Sequence, residues 1–196
     1  MEVFNTIYQE NLAALSEMNL SDRACALGLE LLSGQIVVPF FGHQHLISNS
    51  DITDNRGSEP TPAVGSVLLD YLLQNETHRP IQDQTVSFRD FTGAGPLVNN
   101  FANNTNHLIA SSFSGRLADL EAACRKLSGE IFAESMSVDL HVKFIALPKI
   151  PIYLTFNDRE EDLPAQCNIL FEKSAESYLT LKSCFVLGTY LAGNLI

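Results

Sequence analysis

The sequence predicts an α+β fold, a single domain over residues 1–196 with a mixed or antiparallel sheet and several packed helices. Predicted strands and helices do not alternate regularly, whereas a doubly wound parallel sheet requires that alternation. Two apolar strands, near residues 150–156 and 167–171, flank a short acidic turn and so predict an antiparallel hairpin. A length of 196 residues, 45% of them hydrophobic, suits one core, and no linker, repeat or low-complexity tract divides the chain.

Hydrophobic periodicity assigns the elements of the first half of the chain. Apolar stripes at helical spacing predict three helices, over residues 4–17, from Ser21 as N-cap to Gly34, and over residues 63–74. Alternating apolar residues predict two strands, over residues 35–41 and 45–48, with Gly42 at the turn between them. The polar segment from Ser50 to Pro62 contains glycine and proline and is predicted to be a loop.

The second half is assigned in the same way. Strands are predicted over residues 85–88, 137–144, 150–156 and 167–171, because apolar and polar residues alternate there. Helices are predicted around residues 97–101, over residues 112–127, from Ser174 and over residues 183–196. Gly129 is expected to end the helix over residues 112–127.

The charge of the chain excludes two classes of partner. Its formal net charge is -11, from 12 basic and 23 acidic residues. Such a field repels the phosphate backbone of nucleic acids and the surface of anionic membranes. The sequence also has no apolar run of roughly 18 residues and no basic, apolar leader at its N-terminus. We therefore expect a cytoplasmic protein that binds neither nucleic acid nor membrane.

The four cysteines are predicted to be reduced core residues. Cys25, Cys124, Cys167 and Cys184 are scattered, and no pair has the close spacing of a zinc or iron–sulfur knuckle. Two of them, Cys124 and Cys184, fall on apolar faces of predicted helices, where a free thiol behaves as a small hydrophobe.

Several short phrases occur in a specific order along the chain. They are Phe40-Phe41-Gly42, Leu68–Leu73, Val86–Phe91, Leu120–Ala123, Ala146–Pro151, Glu161–Pro164, Ile169–Phe171, and Ser174-Ala175 with Tyr178-Leu179. In this combination, over roughly residues 5–195, the chain resembles the domain of unknown function 3786 family. It departs from that pattern at His43-Gln44-His45, where an aromatic position is expected, and it lacks the tryptophan expected on the strand of Phe156.

The resemblance implies a setting rather than an activity. The family is found mainly in anaerobic bacteria and archaea and has no established activity. Some members resemble fusions to an N-terminal four-cysteine iron–sulfur domain similar to those of corrinoid proteins. This chain has no such cysteine cluster, so no iron–sulfur cluster is implied for it. The implied setting is anaerobic metabolism near iron–sulfur or corrinoid enzymes.

His43 and His45 form one candidate site. Residues i and i+2 of a strand face the same side, so both imidazoles could bind one metal ion. A third ligand would have to come from His78, His107 or a carboxylate. The structural alternative is a polar hairpin tip at which both rings are solvated.

Arg89, Asp90, Gly93 and Gly95 form a second candidate site. They lie between a short apolar strand and the helix that follows Pro96. Arg89 and exposed N–H groups of the loop could hold a carboxylate or phosphate. Alternatively, Arg89 pairs with a carboxylate and the glycines serve turn geometry. The loop matches neither a P-loop nor a dinucleotide fingerprint.

Other motifs point to no chemistry. The acidic run at residues 158–162 lacks the spacing of a calcium loop, and no GxSxG elbow occurs. The sequence indicates no particular cofactor. We therefore predict an uncharacterised cytoplasmic binding or accessory module that takes a small anionic ligand or a protein partner, through a pocket near Arg89 and the loop from Gly93 to Pro96. The alternative is an enzyme of unknown reaction, metal-dependent through His43 and His45.

Overall fold

The structure is a computed structural model that describes residues 11–74, 84–132 and 138–196. The α-helices assigned within these residues are α1 (Leu20–Leu27), α2 (Pro62–Leu73), α3 (Val98–Asn104), α4 (Asn106–Phe113), α5 (Leu117–Lys126) and α6 (Leu181–Leu195). The strands are β1 (Glu30–Leu32), β2 (Gln35–Phe40), β3 (His43–Ile47), β4 (Ile52–Asp54), β5 (Thr85–Ser87), β6 (Glu130–Ile131), β7 (Leu140–Leu147), β8 (Ile150–Asn157) and β9 (Gln166–Glu172). The α+β class is confirmed.

The strands form two sheets in which neighbouring strands are antiparallel. The first is a meander in the order β1-β2-β3-β4, and the second has the order β5-β9-β8-β7-β6. The predicted hairpin of β8 and β9 is present. The backbone N–H of Phe41, in the β2–β3 turn, donates to the carbonyl of Ala146 on β7 at 2.9 Å. Buried side chains from both sheets belong to one apolar cluster.

The predicted helix from Ser21 to Gly34 is wrong at both ends. The N-cap of α1 is Asn19, whose side chain accepts from the N–H groups of Ser21 and Asp22. Gly28 ends the helix, because its left-handed backbone (φ +67°) turns its N–H back to the last carbonyls. Leu31, which was expected on the buried helical face with Ala24 and Leu27, lies instead on the edge strand β1 and is 41% exposed.

Two further assignments need correction. The segment from Ser50 to Pro62 is not loop throughout, because Ile52 lies opposite Ile47 in the strand pair β3–β4 and is buried. The predicted helix over residues 112–127 is interrupted, since Gly115 has φ +74° and donates its N–H to Asp158 at 2.6 Å. Most of the predicted helix over residues 4–17 lies outside the described residues, although residues 11–16 are helical.

Three of the cysteines are buried as predicted. Burial raises the pKa of the Cys124 thiol to about 12, and it raises the pKa of Cys167 and Cys184 further. Cys25 is exposed, contrary to the prediction that all four belong to the core. Within the described residues, no helix combines the length and the apolar character needed to cross a membrane.

Candidate functional site

The turn between β2 and β3 sets the position of the two candidate histidines. Phe40 pairs with His43 across the hairpin, so the connection consists of Phe41 and Gly42 alone. Both have positive φ, +46° and +80°, as a type I′ turn requires. Left-handed backbone is unfavourable for phenylalanine, and its hydrogen bond to Ala146 and the stacking of its ring on Tyr190 at 5.1 Å hold it there.

A cleft of about 660 Å³ opens beside this hairpin. The β2–β3 hairpin, the turn after β4, the start of α2 and one residue of α6 form its walls. The lining residues are Phe40, Gly42, His43, Gln44, His45, Asp54, Asn55, Arg56, Pro60, Thr61, Val64 and Tyr190. Both sequence-predicted histidines therefore face one cavity, which we call the hairpin cleft.

His45 is the buried polar residue of the hairpin cleft. It is 7% exposed and lies on the core face of the sheet, between Val38 and Asp54 of the neighbouring strands. Its Nδ1 is 3.0 Å from the backbone carbonyl of His43. A carbonyl can only accept, so the proton lies on Nδ1 and the neutral ring presents a lone pair at Nε2. No described residue hydrogen-bonds to Nε2.

The environment of His45 favours the neutral ring. Burial lowers the pKa of its imidazole, and this effect outweighs the hydrogen bond to His43 and the attraction of Asp54, which raise it. At neutral pH the side chain is therefore an acceptor at Nε2. His43, by contrast, is exposed at the mouth of the cleft.

The predicted metal site lacks a third ligand within the described residues. His43 and His45 face the same cleft, but no group of three His, Cys, Asp or Glu side chains comes together there in a way that could hold a metal ion. His107 lies on α4, where its Nδ1 contacts Asn103 at 3.0 Å. The other candidate third ligand, His78, is outside the described residues. Metal binding through His43 and His45 stays a prediction.

The charges around the hairpin cleft favour an anion more than the net charge of the chain suggests. Arg56 brings a guanidinium to which no described residue supplies a hydrogen-bond acceptor. The first turn of α2, capped by Thr61 and free of acidic residues, lies at the cleft wall. Helix N-termini carry partial positive charge. Asp54 also lines the cleft, but its Oδ1 accepts from the N–H groups of Arg56 and Ser58, both at 2.8 Å.

The loop after Arg89 is organised by the protein's own side chains. Asp90 caps the short helical turn at residues 88–90, because its Oδ2 accepts from the N–H and hydroxyl of Ser87 at 2.9 and 2.7 Å. The N–H of Thr92 donates to Glu176 at 2.5 Å, and Lys173 pairs with the same carboxylate at 2.6 Å. A carboxylate therefore does occupy the loop, but Glu176 supplies it.

The cavity beside the predicted loop is lined by other residues. It has a volume of about 310 Å³ and is lined by Phe91, Thr92, Glu176, Leu179, Leu181 and Cys184. Arg89, Asp90, Gly93 and Gly95 are not among its lining residues, and Arg89 is exposed. Gly93 has φ +77°, which agrees with the turn-geometry alternative.

Four carboxyl groups with lowered pKa values make the stability of the fold depend on pH. Hydrogen bonds from Ser58, Ser87 and Gly115 lower the pKa of Asp54, Asp90 and Asp158 respectively. Burial alone would raise the pKa of Glu176, but bonds from Lys173 and Thr92 hold it below its usual value.

Because these pKa values are lower in the folded state, the unfolded chain binds more protons below about pH 4.5. The stabilisation that the four carboxylates contribute is present when the pH is above their pKa values in the unfolded chain. It is lost as the pH falls through their lower pKa values in the folded protein. We expect the urea midpoint to fall between pH 6 and pH 3, and less steeply in Glu176→Gln. An equal or higher midpoint at pH 3 would contradict this assignment.

Among the residues of the hairpin cleft that sequence reasoning missed are Arg56, Thr61 and Tyr190. Arg56 and Thr61 belong to the segment that is predicted to be a loop. The available signal for Thr61 was its place directly before Pro62, because threonine is a common N-cap and proline a common first residue of a helix. Tyr190 comes from the C-terminal helix, where it fits the pattern of a packed aromatic residue. Its ring packs on Phe40 at 4.8 Å, and burial raises the pKa of its hydroxyl.

The chain was compared with known proteins. No curated protein and no solved structure is significantly similar to it. The sequence model of one family, described as Domain of unknown function (DUF3786), matches residues 19–194, which include both sheets, α1 to α5, all but the last residue of α6 and every residue of the hairpin cleft. The resemblance seen in the sequence is thereby confirmed: the chain belongs to the DUF3786 family.

Proposed function

We propose that this protein is a binding or accessory module that holds a small anionic ligand in the hairpin cleft. The observation that carries the proposal is the Nε2 atom of His45. His45 is 7% exposed and lines the cleft, and no described residue hydrogen-bonds to its Nε2. Nε2 is not among the buried polar atoms that lack a partner, so a molecule in the cleft can reach it. A ligand in the cleft would supply the missing partner.

An anion is the ligand class that the surroundings support. Arg56 offers a planar guanidinium suited to a carboxylate or phosphate. The N-terminus of α2 adds partial positive charge from 12 residues of helix. Asp54 opposes an anion, but its charge is already shared with two backbone N–H groups. A small ligand agrees with the size of the cleft.

The loop at Arg89, Asp90, Gly93 and Gly95 is the second candidate location for the anion. It is less well supported, because Glu176 already occupies the N–H of Thr92. The helix that follows, α3, has seven residues and is preceded by a helical turn containing Pro96, so it offers few free N–H groups. The two locations make different predictions for matched arginine variants.

The test is a titration with succinate and with inorganic phosphate, followed by NMR amide shifts at pH 7.5. We expect shifts in the β2–β3 hairpin and a loss of affinity of at least tenfold in Arg56→Ala. The matched control Arg89→Ala, also at an exposed arginine, is expected to bind as the wild type does. An effect of Arg89→Ala without one of Arg56→Ala would move the site to the loop. If neither succinate nor phosphate binds, the proposal is contradicted.

The metal-dependent enzyme is the second candidate function, and the accessible Nε2 of His45 supports it too. In this proposal His43 and His45 hold a metal ion whose third ligand lies outside the described residues or comes from the substrate. Metal analysis of untagged protein, purified without oxygen or added metal, tests it. A near-stoichiometric metal that is lost in His43→Ala would favour the enzyme, and a metal-free protein would favour the binding module.

The cellular setting belongs to the same proposal. A cytoplasmic role beside iron–sulfur or corrinoid-linked anaerobic metabolism is supported by what the family resemblance implies.

A further inference from the structure

We infer that the ligand of the hairpin cleft is a small hydroxy acid, whose carboxylate faces Arg56 and whose hydroxyl donates to Nε2 of His45. This inference rests on the proposed function and narrows it from any small anion to one chemical class. It uses the tautomer of His45, the positions of Arg56 and Tyr190, and the aromatic wall of the cleft.

The tautomer of His45 decides what the ligand must offer. Its Nδ1 donates to the carbonyl of His43, so Nε2 of the neutral ring is an acceptor. A fully ionised carboxylate has acceptor oxygens only and cannot satisfy it. Placing such an oxygen against Nε2 would set two lone pairs against each other where the ligand has displaced water. The group that meets His45 must therefore carry a hydrogen, as a hydroxyl does.

Protonation of His45 would remove this requirement, because an imidazolium would donate to a carboxylate directly. Four titratable or charged side chains share the cleft with the ring. Asp54 favours its protonation, whereas the hydroxyl of Tyr190 is uncharged and His43 and Arg56 bring no negative charge. Burial is the largest influence on the ring and keeps it neutral. At pH 7.5 the acceptor form is the one that a ligand meets.

The rest of the cleft fits the remaining parts of such a ligand. Phe40 and Val64 offer apolar surface to a short carbon chain. The hydroxyl of Tyr190 has no hydrogen-bond partner among the described residues and can donate to a carboxylate oxygen. Arg56 can bind the same carboxylate through two N–H groups. The arrangement thus provides donors for a carboxylate and an acceptor for a hydroxyl.

The experiment compares acids that differ by one hydroxyl. Affinities of L-malate and succinate, and of L-lactate and propionate, are measured by NMR at pH 7.5 with wild type and with His45→Leu. In the wild type we expect each hydroxy acid to bind at least tenfold tighter than its partner acid, because the unpaired Nε2 penalises the acid without a hydroxyl. In His45→Leu that ratio is expected to fall to about one, while succinate still binds through Arg56.

A second readout does not require the variant to fold. Hydrogen bonding to Nε2 moves its ¹⁵N chemical shift, so malate should shift the Nε2 resonance of wild-type His45 and succinate should not. Equal affinities of malate and succinate for the wild type, or a ratio that persists in a folded His45→Leu, would overturn the hydroxy-acid inference and leave the anion site standing. Failure of all four acids and of inorganic phosphate to bind would instead overturn the proposed function.

Discussion

Replacing Gly188 by alanine is expected to lower the free energy of unfolding by about 1–3 kcal/mol, the usual cost of overpacking a core. A Cβ at this position of α6 would lie 2.4 Å from Cε2 and 2.5 Å from Cζ of Phe101 on α3. Phe101 cannot easily move aside, because its ring stacks on Phe88 at 4.2 Å with the planes 6° apart. The glycine is therefore required for the close approach of the two helices.

The matched control lies on the same helix. Gly193 is exposed, and a Cβ added there meets no atom within 4 Å. Gly193→Ala should raise the free energy of unfolding by up to about 1 kcal/mol, since alanine favours helix over the flexible glycine. Urea unfolding followed by circular dichroism measures both changes. If both variants gain stability, Phe101 yields to the new methyl group and the packing argument is wrong.

Replacing Asp70 by alanine is expected to cost about 2 kcal/mol, within the range for hydrogen bonds to charged groups. Asp70 is 8% exposed on α2. Its Oδ2 accepts from the N–H of Thr180 at 2.7 Å, and its Oδ1 accepts from the side chain of Gln74 at 3.2 Å. Thr180 is the N-cap of α6. One carboxylate thus connects the end of α2 to the start of α6, and its removal leaves a donor without its partner.

Two comparisons isolate this effect. Asp70→Asn keeps the shape and one acceptor oxygen, so it should cost less than Asp70→Ala. Asp119→Ala removes an exposed carboxylate of α5 that pairs with Arg116 at 2.8 Å, where both side chains are more than half exposed. A pair of that kind contributes about 0–1 kcal/mol. If Asp119→Ala loses as much stability as Asp70→Ala, the buried hydrogen bond between Asp70 and Thr180 is not the cause of the loss.

Much of the fold could be predicted from short-range patterns. The strands β7, β8 and β9 show regular alternation because one face of their sheet is buried, and the chain positions predicted for them agree with the structure to within a few residues. The same patterns failed where a single backbone position decides the outcome. Gly28 ends α1 and Gly115 separates α4 from α5, and neither event changes the apolar spacing around it.

The candidate site was predictable in part. The i, i+2 spacing of His43 and His45 placed both imidazoles on one side of a strand, and they do face one cleft. The spacing could not show that His45 lies on the core face while His43 is exposed. That difference depends on strand pairing, which places His45 between Val38 and Asp54 and leaves His43 at the end of the hairpin, opposite Phe40.

By itself, the sequence determined the fold class and the family and offered candidate residues such as His43 and His45, because these depend on local periodicity, composition and the order of short phrases. Tertiary structure decided how those residues are used. In the folded chain the N–H of Thr92 donates to Glu176, and four separate parts of the chain together form the hairpin cleft. Burial, tautomer and pKa depend on every atom around a side chain, and long-range packing sets those surroundings.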